Sequence, residues 1–241
     1  PNSGDVVSKK NQEFWRDYFK NEDGTYGSVD LYTSDVGFEK ITTYENKEID
    51  HLPLNIGQIL PALLTLKKGG AMVVKQYTFF ESLNISLYAI LTNVFEEVHI
   101  SKPITSRPTN TETYVIGKNY IGYEMSEKYI NILLKKIEAF ENEDEDDKQK
   151  QKEERKVLLP LVKKELLKPG FLKSIYYSAN EIYRRHIYFL YNRYLLLKKF
   201  HNTRDIKRHL REWKEKIYND WIEKNIKQDG NIIKLILTDD N

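Results

Sequence analysis

The chain has 241 residues, of which 40% are hydrophobic and 31% charged, with Lys and Arg numbering 38 against 36 Asp and Glu. That mixture excludes a disordered chain, and no apolar run approaches the roughly 20 residues a membrane helix needs. Cysteine is absent, which removes disulfides, thiolate metal ligands and Cys nucleophiles.

Taken in chain order, the first 120 residues alternate between helical and strand-like segments. Lys9–Lys20 has aromatics at helical spacing and stops at the turn signal Asn21-Glu22-Asp23-Gly24. Val29–Ser34 is a short β-rich run ending at Asp35. Asp50–Leu66 reads as a helix, with Pro53 near its start and Gly69-Gly70 beyond its end. Ala71–Tyr77 is a nearly continuous apolar strand. Leu83–Phe95 is helical again, and strands follow at Glu97–Ser101 and Thr113–Lys118. Strands alternating with helices predict an α/β sheet with helices packed on it. The last two strands have no helix between them and are expected to run antiparallel.

After about Tyr123 the character changes, so residues 1–123 and 124–241 are expected to form separate regions, the second mainly helical. Met125–Phe140 carries a helical apolar stripe. Between Glu141 and Arg155 eight acids face four bases, which predicts an acidic linker over about 141–156. Helices are expected at Val157–Leu167, Phe171–Phe200 and Thr203–Asn225, with a strand at Ile232–Leu237. In Phe171–Phe200, Leu172, Ile175, Tyr176, Ala179, Ile182, Tyr183, Leu190, Tyr194 and Leu197 form one stripe, which reads as core. From Arg184 to Lys227 there are thirteen Lys and Arg against five acids. Tyr183, Arg184, Arg185, Tyr188, Arg193, Tyr194, Lys198 and Lys199 therefore carry two readings: a basic aromatic face for RNA, or a core stripe beside a solvated one.

Three features carry chemistry. Asp35 ends a strand, where open α/β sheets present side chains to ligands. Lys75 lies inside the apolar strand AMVVKQY, an expensive place for a cation unless it is paired or used. The polar loop Lys102–Tyr114, KPITSRPTNTETY, is stiffened by Pro103 and Pro108 and offers Lys102, Arg107, Asn110 and Glu112. The five histidines are scattered, no metal site is read, and neither a GxGxxG nor a GxxxxGK[ST] loop is present.

The order SDVGF, LKKGGAMVVKQY, VFEEVHISKPITSRPTNTETYVIGK, with SGDVV at the start, resembles the second half of the FtsJ/RrmJ-like RNA 2′-O-methyltransferases. Within that family it is most similar to the mRNA cap-1 enzymes of eukaryotes and large DNA viruses. The likeness covers roughly residues 3–119. It implies a Rossmann-like S-adenosylmethionine-dependent methyltransferase sheet whose first strands, Gly-rich loop and first catalytic Lys are absent here, leaving an unpaired apolar edge, and are expected upstream in the same polypeptide, with a separate completing segment as the alternative. It implies Asp35, Lys75 and Glu112 as three members of a Lys-Asp-Lys-Glu tetrad, with Asp5 and Asp35 toward the cofactor. Lys102, Arg107, Asn110 and Thr111 are then the candidates for substrate RNA. The implied activity is ribose 2′-O-methylation at the mRNA 5′ cap, with ribosomal or other structured RNA as the alternative substrate. A non-catalytic module of a capping or virion assembly is the alternative of another class. The expected partners are capped RNA and a capping or transcription protein docked on the C-terminal helices, with no membrane. The expected location is cytoplasmic, including a viral factory or virion, with the nucleus left open. The Asn-, Ile-, Lys- and Tyr-rich composition fits an AT-rich coding genome, as in a large DNA virus or a protist.

Overall fold

The computed structural model describes residues 3–37, 47–103, 106–107, 109–142, 160–199 and 203–225. Its elements run α1 Lys9–Tyr18, β1 Val29–Ser34, α2 Lys47–Asp50, α3 Leu52–Thr65, β2 Leu66–Gln76, α4 Ser82–Val94, β3 Phe95–Ser101, β4 Thr113–Tyr120, α5 Tyr123–Asn142, a 3₁₀ turn at Lys164–Leu166, α6 Phe171–Lys199 and α7 Thr203–Asn225. The described residues divide into two compact units. One takes them from Pro1–Lys102 and Thr111–Asn180, the other from Pro103–Asn110 and Glu181–Asn241.

The first unit is an α/β sheet in the order β1-β2-β4-β3. β1 runs parallel to β2 across the α2–α3 connection, whereas β4 is antiparallel to both of its neighbours. The antiparallel end follows from the connection between β3 and β4, whose described residues hold no crossover helix. In the described sheet β1 pairs on one side only, and its Leu31 is 55% exposed.

The alternation along β2 tells the two faces apart. Met72, Val74 and Gln76 are buried, while Ala71, Val73 and Lys75 are only half-buried. Helix α3 packs on β1 and β2 and on α1, α4 and α5, and it is buried along almost its whole length. Pro61 inside α3 has no N–H to give the Gly57 carbonyl four residues back. The Gln12 side-chain amide donates to that carbonyl at 3.0 Å and to Val6 O at 2.6 Å. Gly57 has to be glycine, because a Cβ there would stand 2.5 Å from Val6 O. One buried amide thus repairs the helix and fastens the N-terminal segment.

Three expectations need correction. Gly69-Gly70 does not separate a helix from a strand: β2 begins at Leu66, directly after α3. The glycines sit in a bulge, where Val29 pairs with Leu66 but Leu31 already pairs with Ala71, and Gly69 takes φ +82°. The helix expected at Val157–Leu167 is, in its described part, only the 3₁₀ turn. Leu161 N donates to Ser86 Oγ at 2.9 Å and Asn93 Nδ2 donates to Leu166 O at 3.0 Å, so α4 takes backbone groups a helix would have used. The core stripe of α6 is not core either. Leu172, Tyr176, Leu190, Tyr194 and Leu197 are exposed, and Phe171 alone of the helix is buried. The acidic stretch from 143 to 156 and the expected strand at Ile232–Leu237 lie outside the described residues.

Candidate active site

Two candidates of the first unit, Asp35 and Lys75, meet at the carboxyl ends of β1 and β2, on the half-open face of the sheet. Asp35 immediately follows β1, and Gln58 of α3 holds the Ser34 hydroxyl on one side of it and the Val36 backbone on the other. The Gln58 Oε1 accepts from Ser34 Oγ at 3.0 Å and from Val36 N at 3.2 Å. Gln58 is buried, so this clamp is rigid, and it leaves the Asp35 carboxylate 69% exposed.

Lys75 lies one residue before the end of β2, and its side chain, 11% exposed, forms an ion pair with Asp35. Its ammonium also stands 5.7 Å from the centre of the Tyr77 ring. Burial opposes the charge on Lys75. The hydrogen bond and charge of Asp35, with the Tyr77 oxygen, outweigh burial and raise its pKa above the ordinary lysine value. In this setting Lys75 is an ammonium at neutral pH.

The register places Tyr114 of β4 directly across from Lys75. The Tyr114 hydroxyl is raised above its usual range, first by burial and then by the carboxylates of Asp35 and Glu112, against the opposing charge of Lys75. Its surroundings therefore join the three tetrad candidates in one electrostatic cluster. Lys102 closes the loop end by donating to the Glu112 carbonyl at 2.8 Å. Thr113, next in line, donates to the Tyr77 carbonyl at 3.2 Å.

The other candidates are placed elsewhere. Asp5 accepts from Val7 N at 2.8 Å in a segment tied to α1, where Asn11 Nδ2 donates to Asp5 O at 2.9 Å and to Ser3 O at 3.0 Å. Thr111 is half-buried in the first unit, beside Glu112. Arg107 and Asn110 belong to the second unit, in a turn closed by Asn110 N donating to Arg107 O at 3.2 Å. Among the described residues no three His, Asp or Glu side chains converge as metal ligands, and no helix is long and apolar enough to cross a membrane.

The sequence reading missed Gln58, Tyr77 and Tyr114. Tyr77 and Tyr114 each lie two residues from a named candidate, Lys75 and Glu112. That was a usable signal. Gln58 offered none, since only the packing of α3 on β1 brings it to Asp35.

Comparison with known proteins adds a family. Residues 2–120 match the model of the FtsJ-like methyltransferases. The probable methyltransferase EP424R of African swine fever virus is 34% identical over 193 residues, covering 80% of this chain and 41% of that protein. The cap-specific mRNA (nucleoside-2′-O-)-methyltransferase 2 of Drosophila melanogaster is 42% identical over 94 residues, or 39% of this chain and 13% of its own length. The chain thus spans about two fifths of the viral relative. Among solved structures, a putative ribosomal RNA methyltransferase from Plasmodium falciparum aligns over 50% of this chain and 59% of its own, at 23% identity and a TM-score of 0.34.

Proposed function

We propose, from the premise that this chain belongs to the FtsJ-like methyltransferase family through residues 2–120, that it carries the acceptor side of an RNA 2′-O-methyltransferase acting at the mRNA 5′ cap. The single observation that carries the reading is the Asp35–Lys75 pair, set at the carboxyl ends of adjacent parallel strands beside Tyr114 and Glu112. A structural ion pair has no need of two strand ends, an open face and a second carboxylate within electrostatic reach.

S-adenosylmethionine is the cofactor that the family resemblance implies, and two carboxylates are the residues read toward it. The exposed Asp35 carboxylate suits a sulfonium cation, and Asp5 suits the amino and hydroxyl donors of a nucleoside. When bound, that cofactor supplies a methyl group activated by positive sulfur. The chain's own residues would act on the acceptor. A ribose hydroxyl is a weak acid and a weak nucleophile. Lys75, held cationic by Asp35 and Tyr77, would orient the 2′-oxygen and stabilise the negative charge it gains as the methyl group arrives and the hydroxyl proton passes to solvent water. Charge placement is the role that the ion pair of Lys75 with Asp35 supports. Glu112 would hold the far side of the ribose, with Lys102 fixing the Glu112 backbone. Arg107, Asn110 and Thr111 would take the RNA backbone, a planar guanidinium being well shaped for phosphate.

The test is methyl transfer from radiolabelled S-adenosylmethionine to capped and uncapped RNA of the same sequence. Lys75→Ala should lower the rate at least about 10²-fold, the scale of losing one preorganised charge at the reacting oxygen. Undiminished transfer by Lys75→Ala would remove the catalytic assignment. Equal transfer to uncapped RNA would remove the cap and leave a broader 2′-O-methyltransferase.

A further inference from the structure

Helix α6 in the second unit has one covered side and one open side, and the two differ in chemistry. From Glu181 onward the partly covered side carries Ile182, His186 and Phe189, and the Phe189 ring lies 6.2 Å from Trp213 of α7. The opposite side carries Arg184, Tyr188, Tyr191, Leu195 and Lys198, spaced three and four residues apart and all exposed. Tyr188 is 63% and Tyr191 59% exposed. Alongside the exposed aliphatics Ile187, Leu190 and Leu195, this face sets two tyrosines between two cations.

We infer that the Arg184–Lys198 face of α6 is a track for single-stranded RNA, with bases stacking on Tyr188 and Tyr191 and phosphates meeting Arg184 and Lys198. This rests on the proposed reading only in taking RNA as the ligand. Charge complementarity selects nucleic acid as the occupant. Over 181–199 and 203–225 there are twelve Lys and Arg against six acids, an excess that suits a polyanion and would repel a basic partner. Glu181 is the one acid beside the face, and it is shared between Arg184 at 3.1 Å and Arg185 at 2.6 Å, so it leaves the local excess positive. Spacing selects unpaired bases. Tyr188 and Tyr191 are separated by about 4.5 Å of helix rise, close to one base step, and the whole face runs about 21 Å. A duplex hides its base faces and has nothing to lay on these rings. Arg107 and Asn110, the loop residues read for RNA backbone, fall in the same compact unit as this face.

The experiment uses the full chain and a fluorescein-labelled, uncapped oligoadenylate, with anisotropy followed across a potassium chloride series and no methyl donor present. Tyr188→Ala and Tyr191→Ala should each weaken binding at least about fivefold, while Tyr188→Phe and Tyr191→Phe bind as the parent does. Arg184→Gln with Lys198→Gln should make the slope of log K against log salt shallower by about 1.4, since each phosphate neutralised on a single strand contributes about 0.7. All four positions are exposed, so the variants should keep the parent's far-ultraviolet circular dichroism. Unchanged affinity in both alanine variants would overturn the track, as would a matched duplex binding as tightly. Alanine variants that turn a self-associated chain into monomers while RNA affinity holds would assign the face to a second copy and overturn it too. Because no methyl transfer is read, failure here removes the track alone, whereas undiminished transfer by Lys75→Ala removes the catalytic reading alone.

Discussion

Helices α3 and α6 set the two halves of the chain against each other. Of the 14 residues of α3, thirteen are buried, whereas α6, at 29 residues, buries only Phe171. Helix α3 is apolar almost all round, so it is stable only where the sheet and α1, α4 and α5 surround it. Helix α6 is held by its own length and by local pairs such as Glu181–Arg185. The difference separates two uses of a helix. One sets the backbone of a site, as α3 does through Gln58, and the other presents a surface.

The sharpest way to break that comparison is to truncate an apolar side chain on each helix. Ile59→Ala in α3 should destabilise the chain by about 2–5 kcal/mol, while Leu197→Ala in α6 should stay within about 0.5 kcal/mol. Urea denaturation reads both, and equal losses would mean that α6 is packed as tightly as α3. A smaller effect is expected from Gln12→Ala, which leaves the Gly57 carbonyl orphaned beside Pro61. The expected cost is about 1–3 kcal/mol in the same melt, with the N-terminal segment exchanging its amide hydrogens faster. A substitution that proved neutral would show that the segment docks without this amide.

The smallest effect is electrostatic. The pKa of Lys75 is raised on folding, so its pairing contributes fully below the ordinary lysine value of 10.5 and is lost as pH climbs through the higher folded value. Asp35 is largely exposed, which limits the contribution to under about 1 kcal/mol. Stability of the parent should therefore fall more steeply above pH 10.5 than that of Lys75→Met. Parallel curves would mean that the pair adds nothing to folding and serves the site alone.

Much of the sheet was legible from pattern. Strands ending at Ser34 and within one residue of Tyr77, the helix between them and the antiparallel β3–β4 end all follow from apolar runs and breakers. The bulge at Gly69 was not, because two adjacent glycines read as a stop, and only the pairing of β1 with both ends of the bulge shows that the strand continues through them. The segment before Leu167 had helical spacing, yet Ser86 and Asn93 claim its backbone from a distance in sequence of more than seventy residues. Asp35, Lys75 and Glu112 were named from their motifs, while the Gln58 clamp was invisible for the same reason as the α4 contacts.

The sequence by itself determined most of the strands and helices up to Tyr120 and the residues at the carboxyl ends of β1 and β2, since these depend on spacing and local backbone preference. Tertiary structure decided which face of each element is buried, which polar side chains repair the backbone, and that α6 turns its cations and tyrosines outward. Those outcomes depend on which neighbour arrives, and a helix with apolar residues on several sides buries only the side that finds a partner.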